Sequence, residues 1–372
     1  MHYTREDGCR AWLTYGLLSA DTLRELLTDF GSAEAVYEQF IATDGKALSP
    51  YGVNEDAIAT LRKQAEAEQM HRMMLTMKRL HAGIMSFRDD DYPDSLRSIP
   101  QPPALLFYRG DPDCLMRKCV TVVGSRSASP RGLEATRKIC ADLSRAGVTI
   151  VSGLAVGIDA AAHEGGIEGG SPSAAVLACG MDVDYPTDNT ALRESIVAGG
   201  GVLLSEYPLG MRPNKFVFAV RNRIMSGLGK AVIMMEARIR SGSMLTVHHA
   251  LEQGKDVFAY PGIPNSEWSE GAHQLLREGA IYFTNAQDVL EDLSWNEGFP
   301  HAAQAAETRL HEPPGMTDEQ RKIFSLLSQE EMSFDEIAAA SGLPAPVISG
   351  SLTILEMLGL IRSMPGKIYC RA

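Results

Sequence analysis

The chain has 372 residues, 45% of them hydrophobic and 22% charged, with a formal net charge of -12. This is ordinary globular composition for two or three domains. No apolar run approaches the roughly 20 residues that span a bilayer, and the acidic balance excludes bulk electrostatic attachment to nucleic acid while allowing a local cationic cleft.

Residues Met1 to Asp7 carry no apolar signal segment, and the six cysteines are scattered, none as Cys-x-x-Cys. Neither a zinc site nor a disulfide framework is expected, and the thiols read as reduced in a cytoplasmic protein with no membrane segment. Residues 1–80 are helical in pattern: Ala11-Trp12-Leu13, Leu23-Leu26-Leu27 and Ile58-Leu61 recur at helical spacing. Gly31, Gly45 and Ser49-Pro50-Tyr51-Gly52 divide them into short helices. A small helical domain of the SAM or helix-hairpin-helix kind is predicted.

Residues 81–295 alternate strand and helix. The clearest strands are Val120–Val123, Thr149–Ser152, Ala174–Ala178, Val202–Ser205, Ala231–Met235, Asp256–Ala259 and Ile281–Phe283, with helices such as Gly132–Arg145 and Thr246–Gln253 between them. Short β-branched runs bounded by Gly predict a parallel sheet covered on both faces, an α/β extended Rossmann-like domain. Ligands in such sheets bind beyond the carboxyl ends of the strands. Four segments fall there.

Gly124-Ser125-Arg126 ends the first strong strand and offers a close backbone approach, a hydroxyl and a guanidinium fork. It is not Gly-x-Gly-x-x-Gly, so a dinucleotide site is not indicated. Ser152-Gly153-Leu154-Ala155-Val156-Gly157-Ile158-Asp159 leads into a helix, with Asp159 expected to cap it. Lys215 and Phe218, read as a loop, precede Arg221-Asn222-Arg223, read as opening a helix. An aromatic beside cations is how proteins hold a single strand, stacking bases while cations track phosphates. Alternation in Phe216-Val217-Phe218 predicts core burial of one ring. Ser241-Gly242-Ser243 can form a backbone nest at a helix start, with Glu236 expected to steady a neighbouring Arg.

His163, His248, His249 and His273 lack metal or triad spacing, and the 17 methionines read as core filler. No catalytic residue, metal or cofactor is expected. Residues 296–315 read as a linker. Residues 316–372 restart with Thr317 as N-cap and Gln320 three residues on. Helices over Asp318–Leu327, Phe334–Ser341 and Pro346–Leu358, then a Pro365-Gly366 turn between two strands, predict a winged-helix-like domain. Its recognition helix has no Lys or Arg, and from Pro313 onward five basic residues face seven acidic ones. Duplex affinity needs phosphate neutralisation, so a protein-contact role is the better expectation.

Taken together, these motifs resemble the DNA-processing protein A family (DprA, also called Smf). The resemblance runs through Gly124-Ser125-Arg126, Ser152-Gly153-Leu154-Ala155-x-Gly157-Ile158-Asp159-x-x-x-His163, Ser205-Glu206-Tyr207-Pro208, Phe218-x-x-Arg221-Asn222-Arg223-Ile224, Ser241-Gly242-Ser243 and Pro261-Gly262, across about residues 85–290. It implies a homodimeric single-stranded DNA-binding recombination mediator. Such a protein protects incoming strands and helps load the RecA recombinase during natural transformation. Strand-binding roles carry over to Gly124, Ser125, Arg126, Lys215, Phe218, Arg221, Asn222 and Arg223, and to Ser241, Gly242 and Ser243. Many members have Phe-Pro where this chain has Phe218-Ala219. A self-association surface is implied near Gly271–Tyr282, with His273, Leu276 and Tyr282 as contacts. The alternative is a Rossmann-like nucleotide hydrolase of the phosphoribohydrolase type, with Glu206 and Glu236 as acid/base candidates. That type carries a Pro-Gly-Gly-x-Gly-Thr loop where this chain has Arg240-Ser241-Gly242-Ser243-Met244-Leu245-Thr246.

Overall fold

Side-chain caps start most helices of the N-terminal segment, each accepting from a first-turn amide that would otherwise lack a partner. The structure, a computed structural model, describes residues 3–264, 266–295, 316–327, 332–358, 360–364 and 368–371. Thr4, Ser19, Ser32 and Asn54 cap α1 (Arg5–Thr14), α2 (Ala20–Asp29), α3 (Ala33–Thr43) and α4 (Glu55–Gln64), and α5 (Ala67–Leu80) follows. Trp12 anchors the bundle: it is fully buried, its Nε1 donates to the Leu61 carbonyl at 2.8 Å, and Tyr37 and Phe40 pack edge-on against it. Its apolar cluster runs on without a break into Phe107, Leu177 and Leu203 of the sheet.

The sheet is built from β1 (Ala82–Ser86), β2 (Leu105–Gly110), β3 (Cys119–Val123), β4 (Thr149–Ser152), β5 (Ser173–Val176), β6 (Val202–Ser205), β7 (Ala231–Met234), β8 (Asp256–Ala259) and β9 (Ile281–Tyr282). Their order is β1-β2-β6-β5-β4-β3-β7-β8-β9. All seven predicted strands are present to within a few residues. The two unpredicted ones, β1 and β2, pair antiparallel and extend the parallel part beyond β6, so the sheet is mixed. The connecting helices are α6 (Asp94–Arg97), α7 (Pro130–Arg145), α8 (Ile158–Gly169), α9 (Thr190–Ala198), α10 (Lys215–Leu228), α11 (Ser243–Glu252), α12 (Glu270–Arg277) and α13 (Ala286–Asp292). β3 connects to β4 on one side, and the chain later returns to place β7 on the other side of β3. The strand order therefore reverses at β3, which opens a crevice between the loops after β3 and β7.

The chain divides into two compact units, Met1–Glu297 and Gly298–Ala372. The second is a winged-helix domain: α14 (Asp318–Leu326), β10 (Met332–Ser333), α15 (Phe334–Ser341), α16 (Ala345–Met357), β11 (Ile361–Met364) and β12 (Ile368–Arg371). Thr317 and Gln320 form the expected capping box, and Ile323, Ile337, Ile348 and Leu355 make the core. The wing strands β11 and β12 pair antiparallel, and β10, too short to read from sequence, joins them. The predicted linker 296–315 and the Pro365-Gly366 turn lie outside the described residues.

Candidate nucleic-acid interface

The crevice is a cavity of about 500 Å3 beyond the carboxyl ends of β3, β4 and β7, walled by the first half of α10. Hydrogen bonds between the loops fix its floor. Ser125 N–H donates to the Glu236 carbonyl at 2.7 Å, and the Ser125 carbonyl accepts from Ile158 N–H at 3.1 Å. The β3 loop is thus tied to both β7 and α8. Gly157, at φ +86°, passes so close that a Cβ there would sit 2.4 Å from the Ser125 oxygen. That contact is why this position needs Gly.

Asn214 starts α10 by accepting from the amides of Phe216 (3.0 Å) and Val217 (3.1 Å). Lys215 and Phe218 therefore lie in the first turn of a helix, a correction to the loop expected from sequence. Helical spacing then decides which side chains share a face. Lys215, Phe218, Ala219, Arg221, Asn222 and Met225 all line the crevice. Arg223 and Phe216 turn away. Arg223 Nη2 holds both Glu206 oxygens, at 2.6 and 2.7 Å, and Phe216 is 75% exposed beside a different cavity. Arg223 is thus set apart from the other strand-binding candidates. The ring that goes into the core is neither Phe; Val217 takes that place.

Five cations line the crevice, Arg126, Lys215, Arg221, Arg238 and Arg240, against one carboxylate, Asp159. In a chain of net charge -12 this concentrates positive potential in one cleft. The Phe218 ring is its aromatic element. Arg126 Cζ stands 4.6 Å from the ring centroid, Arg221 Cζ stands at 6.0 Å, and the Tyr185 ring packs at 5.8 Å. Arg126 and Lys215 are exposed. Arg221 is buried, and its Nη1 donates to the Val176 carbonyl. Burial lowers its pKa, and the charge of Asp159 offsets part of that. Burial in turn raises the Asp159 pKa against the charge of Arg221 and the Ala155 amide at 3.3 Å.

Asp159 was expected to cap α8. The N-cap is instead Gly157, without a side-chain cap bond, and Asp159 lies in the first turn as the acid beneath Arg221. Glu236 was expected to steady an Arg. It is buried and accepts from Ser129 N–H (2.8 Å) and Ser129 Oγ (2.6 Å), and Ser129 caps α7. Gly124, Ser125, Ser241, Gly242 and Ser243 line the crevice as expected. Helix α11 starts at Ser243, three residues earlier than predicted, and the Ser241 hydroxyl accepts from Ser243 N–H at 3.2 Å. Asn222 Nδ2 reaches the Gly242 carbonyl at 3.5 Å.

Sequence reasoning missed Arg238 and Arg240. Their only signal was two cations just before the Ser-Gly-Ser turn. Arg238 pairs with Glu267 at 2.9 Å, both half-exposed. His163 is buried and neutral in character: its Nδ1 meets Ser173 Oγ at 2.7 Å, and burial lowers its pKa to about 3. At the far edge, Tyr282 on β9 is 60% exposed, Leu276 is half-buried, and His273 Nε2 meets the Pro261 carbonyl at 2.6 Å. Among the described residues, no His, Cys, Asp and Glu cluster is arranged to hold a metal ion, and no single helix is long and apolar enough to cross a membrane.

The family model for DNA recombination-mediator protein A matches residues 83–294, and that for the DprA winged helix domain matches residues 300–367. Protein Smf of Escherichia coli K12 is 37% identical over 281 residues, 74% of this chain and 74% of its own length. DNA processing protein DprA of Streptococcus pneumoniae is 44% identical over 210 residues, 56% of this chain and 74% of its own. The X-ray structure of DNA processing protein A from Streptococcus pneumoniae superposes with a TM-score of 0.64 at 34% identity, covering 78% of this chain and 99% of that one. A structure of the Helicobacter pylori protein, solved to explain its single-stranded DNA binding mode, gives 0.52 at 30% identity, covering 57% and 95%.

Proposed function

The chain belongs to the DNA recombination-mediator protein A family, and on that premise we propose that it binds single-stranded DNA in the crevice between the β3 and β7 loops. The observation that carries the reading is the packing of Arg126 and Arg221 about Phe218 in a cleft of five cations and one carboxylate. Exposed Arg126, Lys215 and Arg240 track the phosphates, with Arg238 joining them where Glu267 releases it. Phe218 stacks a base, and Arg221 lends charge from below. Gly242, with open space where a Cβ would stand, lets the strand approach closely beside Gly124, Ser125 and Ser243 on the crevice wall. The Helicobacter pylori relative is a single-stranded DNA binder, which supports this assignment.

The role is that of a non-catalytic mediator, which protects the strand and loads a RecA-type recombinase during natural transformation. It works as a homodimer through the β9 edge, where exposed Tyr282 with Leu276 and His273 forms the contact. Against the hydrolase alternative, Glu206 is held by Arg223 and Glu236 by Ser129, so neither carboxylate faces the cleft. The test is fluorescence anisotropy with a labelled deoxythymidylate strand and a matching duplex over a salt series. Single-strand binding that exceeds duplex binding and weakens with salt is expected. Absence of binding at low salt refutes the reading.

A further inference from the structure

The end of the sheet opposite the crevice carries a second group of cations that strand binding there does not use. Lys118 precedes β3, Lys230 precedes β7 and Lys255 precedes β8. These strands are parallel neighbours, and the register pairing Thr121 with Val232 and Ala231 with Asp256 brings the three positions side by side. Neighbouring strands lie about 4.8 Å apart, so three lysines leave one edge within about two strand spacings. With Arg117 and Trp295 they line a cavity of about 680 Å3. Four cations face it against two carboxylates, Asp94 and Asp256. Among the described residues none of the four forms an ion pair.

Lys255 is engaged locally: its ammonium donates to the Ser226 carbonyl (2.7 Å) and the Gly229 carbonyl (2.6 Å), closing the end of α10. Burial and then the charge of Lys230 lower its pKa to about 8. Like charges are therefore crowded around the cavity, and an anion laid across the row relieves them. Lys118 and Lys230 are exposed and available. Lys118 Nζ stands 5.7 Å from the ring centroid of Trp295, and that residue is itself partly exposed. Ammonium groups beside an accessible ring suit a phosphate joined to a base, and the volume falls within the roughly 300–1,000 Å3 of small-ligand sites.

We propose that this cavity is a second binding site, for a nucleotide unit whose phosphate lies on Lys118 and Lys230 and whose base lies on Trp295. The unit comes either as a free nucleotide or as a distant stretch of the strand held in the crevice. Only the second source rests on the strand-binding reading above.

The test uses the full chain, its Lys118→Glu/Lys230→Glu double variant and Trp295→Phe, leaving Lys255 in place because it caps α10. The probes are dTTP, read by tryptophan quenching, and labelled deoxythymidylate 8-mers and 60-mers, read by anisotropy. For a free nucleotide, dTTP quenches saturably, Trp295→Phe removes the quench, and the double variant weakens binding at least tenfold. For a strand source, the double variant weakens the 60-mer and leaves the 8-mer unchanged. Two lost phosphate contacts at a log–log slope of about 0.7 each give a loss of about 25-fold at 0.1 M salt. Either result supports the site. No dependence of dTTP or of the 60-mer on the two lysines overturns it, and so does equal weakening of both strand lengths. Failure of the unmutated chain to bind the 8-mer counts against the crevice instead and leaves the dTTP arm standing.

Discussion

Phe218→Ala separates stacking from charge in the crevice. A base stacked on an aromatic ring is worth about 1–3 kcal/mol by alanine substitution. In the free protein Arg126 already stands over that ring at 4.6 Å, an exposed cation–π contact worth about 0.5–1 kcal/mol. A stacking base displaces it, so the net contribution of the ring is about 1.25 kcal/mol at mid-range and about 2.5 kcal/mol at most. At about 1.4 kcal/mol per tenfold, Phe218→Ala should weaken strand binding roughly eightfold, and about 60-fold at most. The cations are untouched, so the slope of log affinity against log salt should not move. Lys215→Ala and Arg126→Ala should instead flatten that slope by about 0.7 each, one phosphate contact apiece. The assay is anisotropy with a deoxythymidylate strand at four or more salt concentrations. Phe218 also packs beside Tyr207 and Val217, so Phe218→Leu, which keeps apolar bulk but removes the ring, controls for packing. If Phe218→Leu binds as well as the unmutated chain, or if Phe218→Ala changes the slope as much as Lys215→Ala does, the stacking argument fails.

Two further outcomes concern buried residues that do not line the crevice. Arg223→Ala should destabilise the fold by about 3–5 kcal/mol, because it strands the largely buried Glu206 carboxylate. Chemical denaturation measures this, and the folded fraction should bind strand within about twofold of the parent. His163 contributes a pH dependence of known sign. Its folded pKa is about 3, against an unfolded value of 6.5. The unfolded chain therefore takes up a proton first, and stability falls as pH drops from about 6.5 toward about 3, by at most about 1.4 kcal/mol per pH unit. Urea midpoints of His163→Gln should lose that part of the acid limb, and an unchanged limb would contradict the buried neutral assignment.

How far the sequence foretold this site depended on local periodicity. The parallel strands were legible because most are short apolar runs closed by Gly or a loop, and all but the edge strand β9 are largely buried on both faces. β1 and β2 were not: Ala82-Gly83-Ile84-Met85-Ser86 has one β-branched residue and a Gly at its second position, and the antiparallel pairing of β2 to β6 is a long-range event. The crevice cations were legible as a cluster but not as a face. Phe216-Val217-Phe218 alternates with period two, which suggested a loop with one ring in the core, whereas the Asn214 cap commits the same residues to helix. Once that helix starts at Lys215, Arg223 must turn from Phe218, toward a Glu206 that lies 17 positions earlier. Glu236 was misassigned for a similar reason, since its partner Ser129 is 107 positions away.

The deepest cation of the crevice shows what the site costs the fold. Arg221 is 3% exposed, and its Nε is buried with no hydrogen-bond partner. A desolvated guanidinium that feels the charge of a desolvated Asp159 without forming a salt bridge to it is an expensive way to build a floor. Its use is electrostatic: in low dielectric its charge reaches a phosphate above it with less screening than an exposed cation would suffer. Removing Arg221 alone would take from the buried Asp159 the charge that favours its ionised form, and confuse lost binding with lost folding. The double variant Arg221→Met/Asp159→Asn removes both charges. Apolar replacement of buried ionic groups is often neutral or stabilising by about 1–4 kcal/mol, so its denaturation midpoint should match or exceed that of the parent. Its affinity for a deoxythymidylate strand should fall at least tenfold. A variant that is as stable as the parent and binds as tightly would show that the two buried charges play no part in binding and that the exposed cations alone hold the strand.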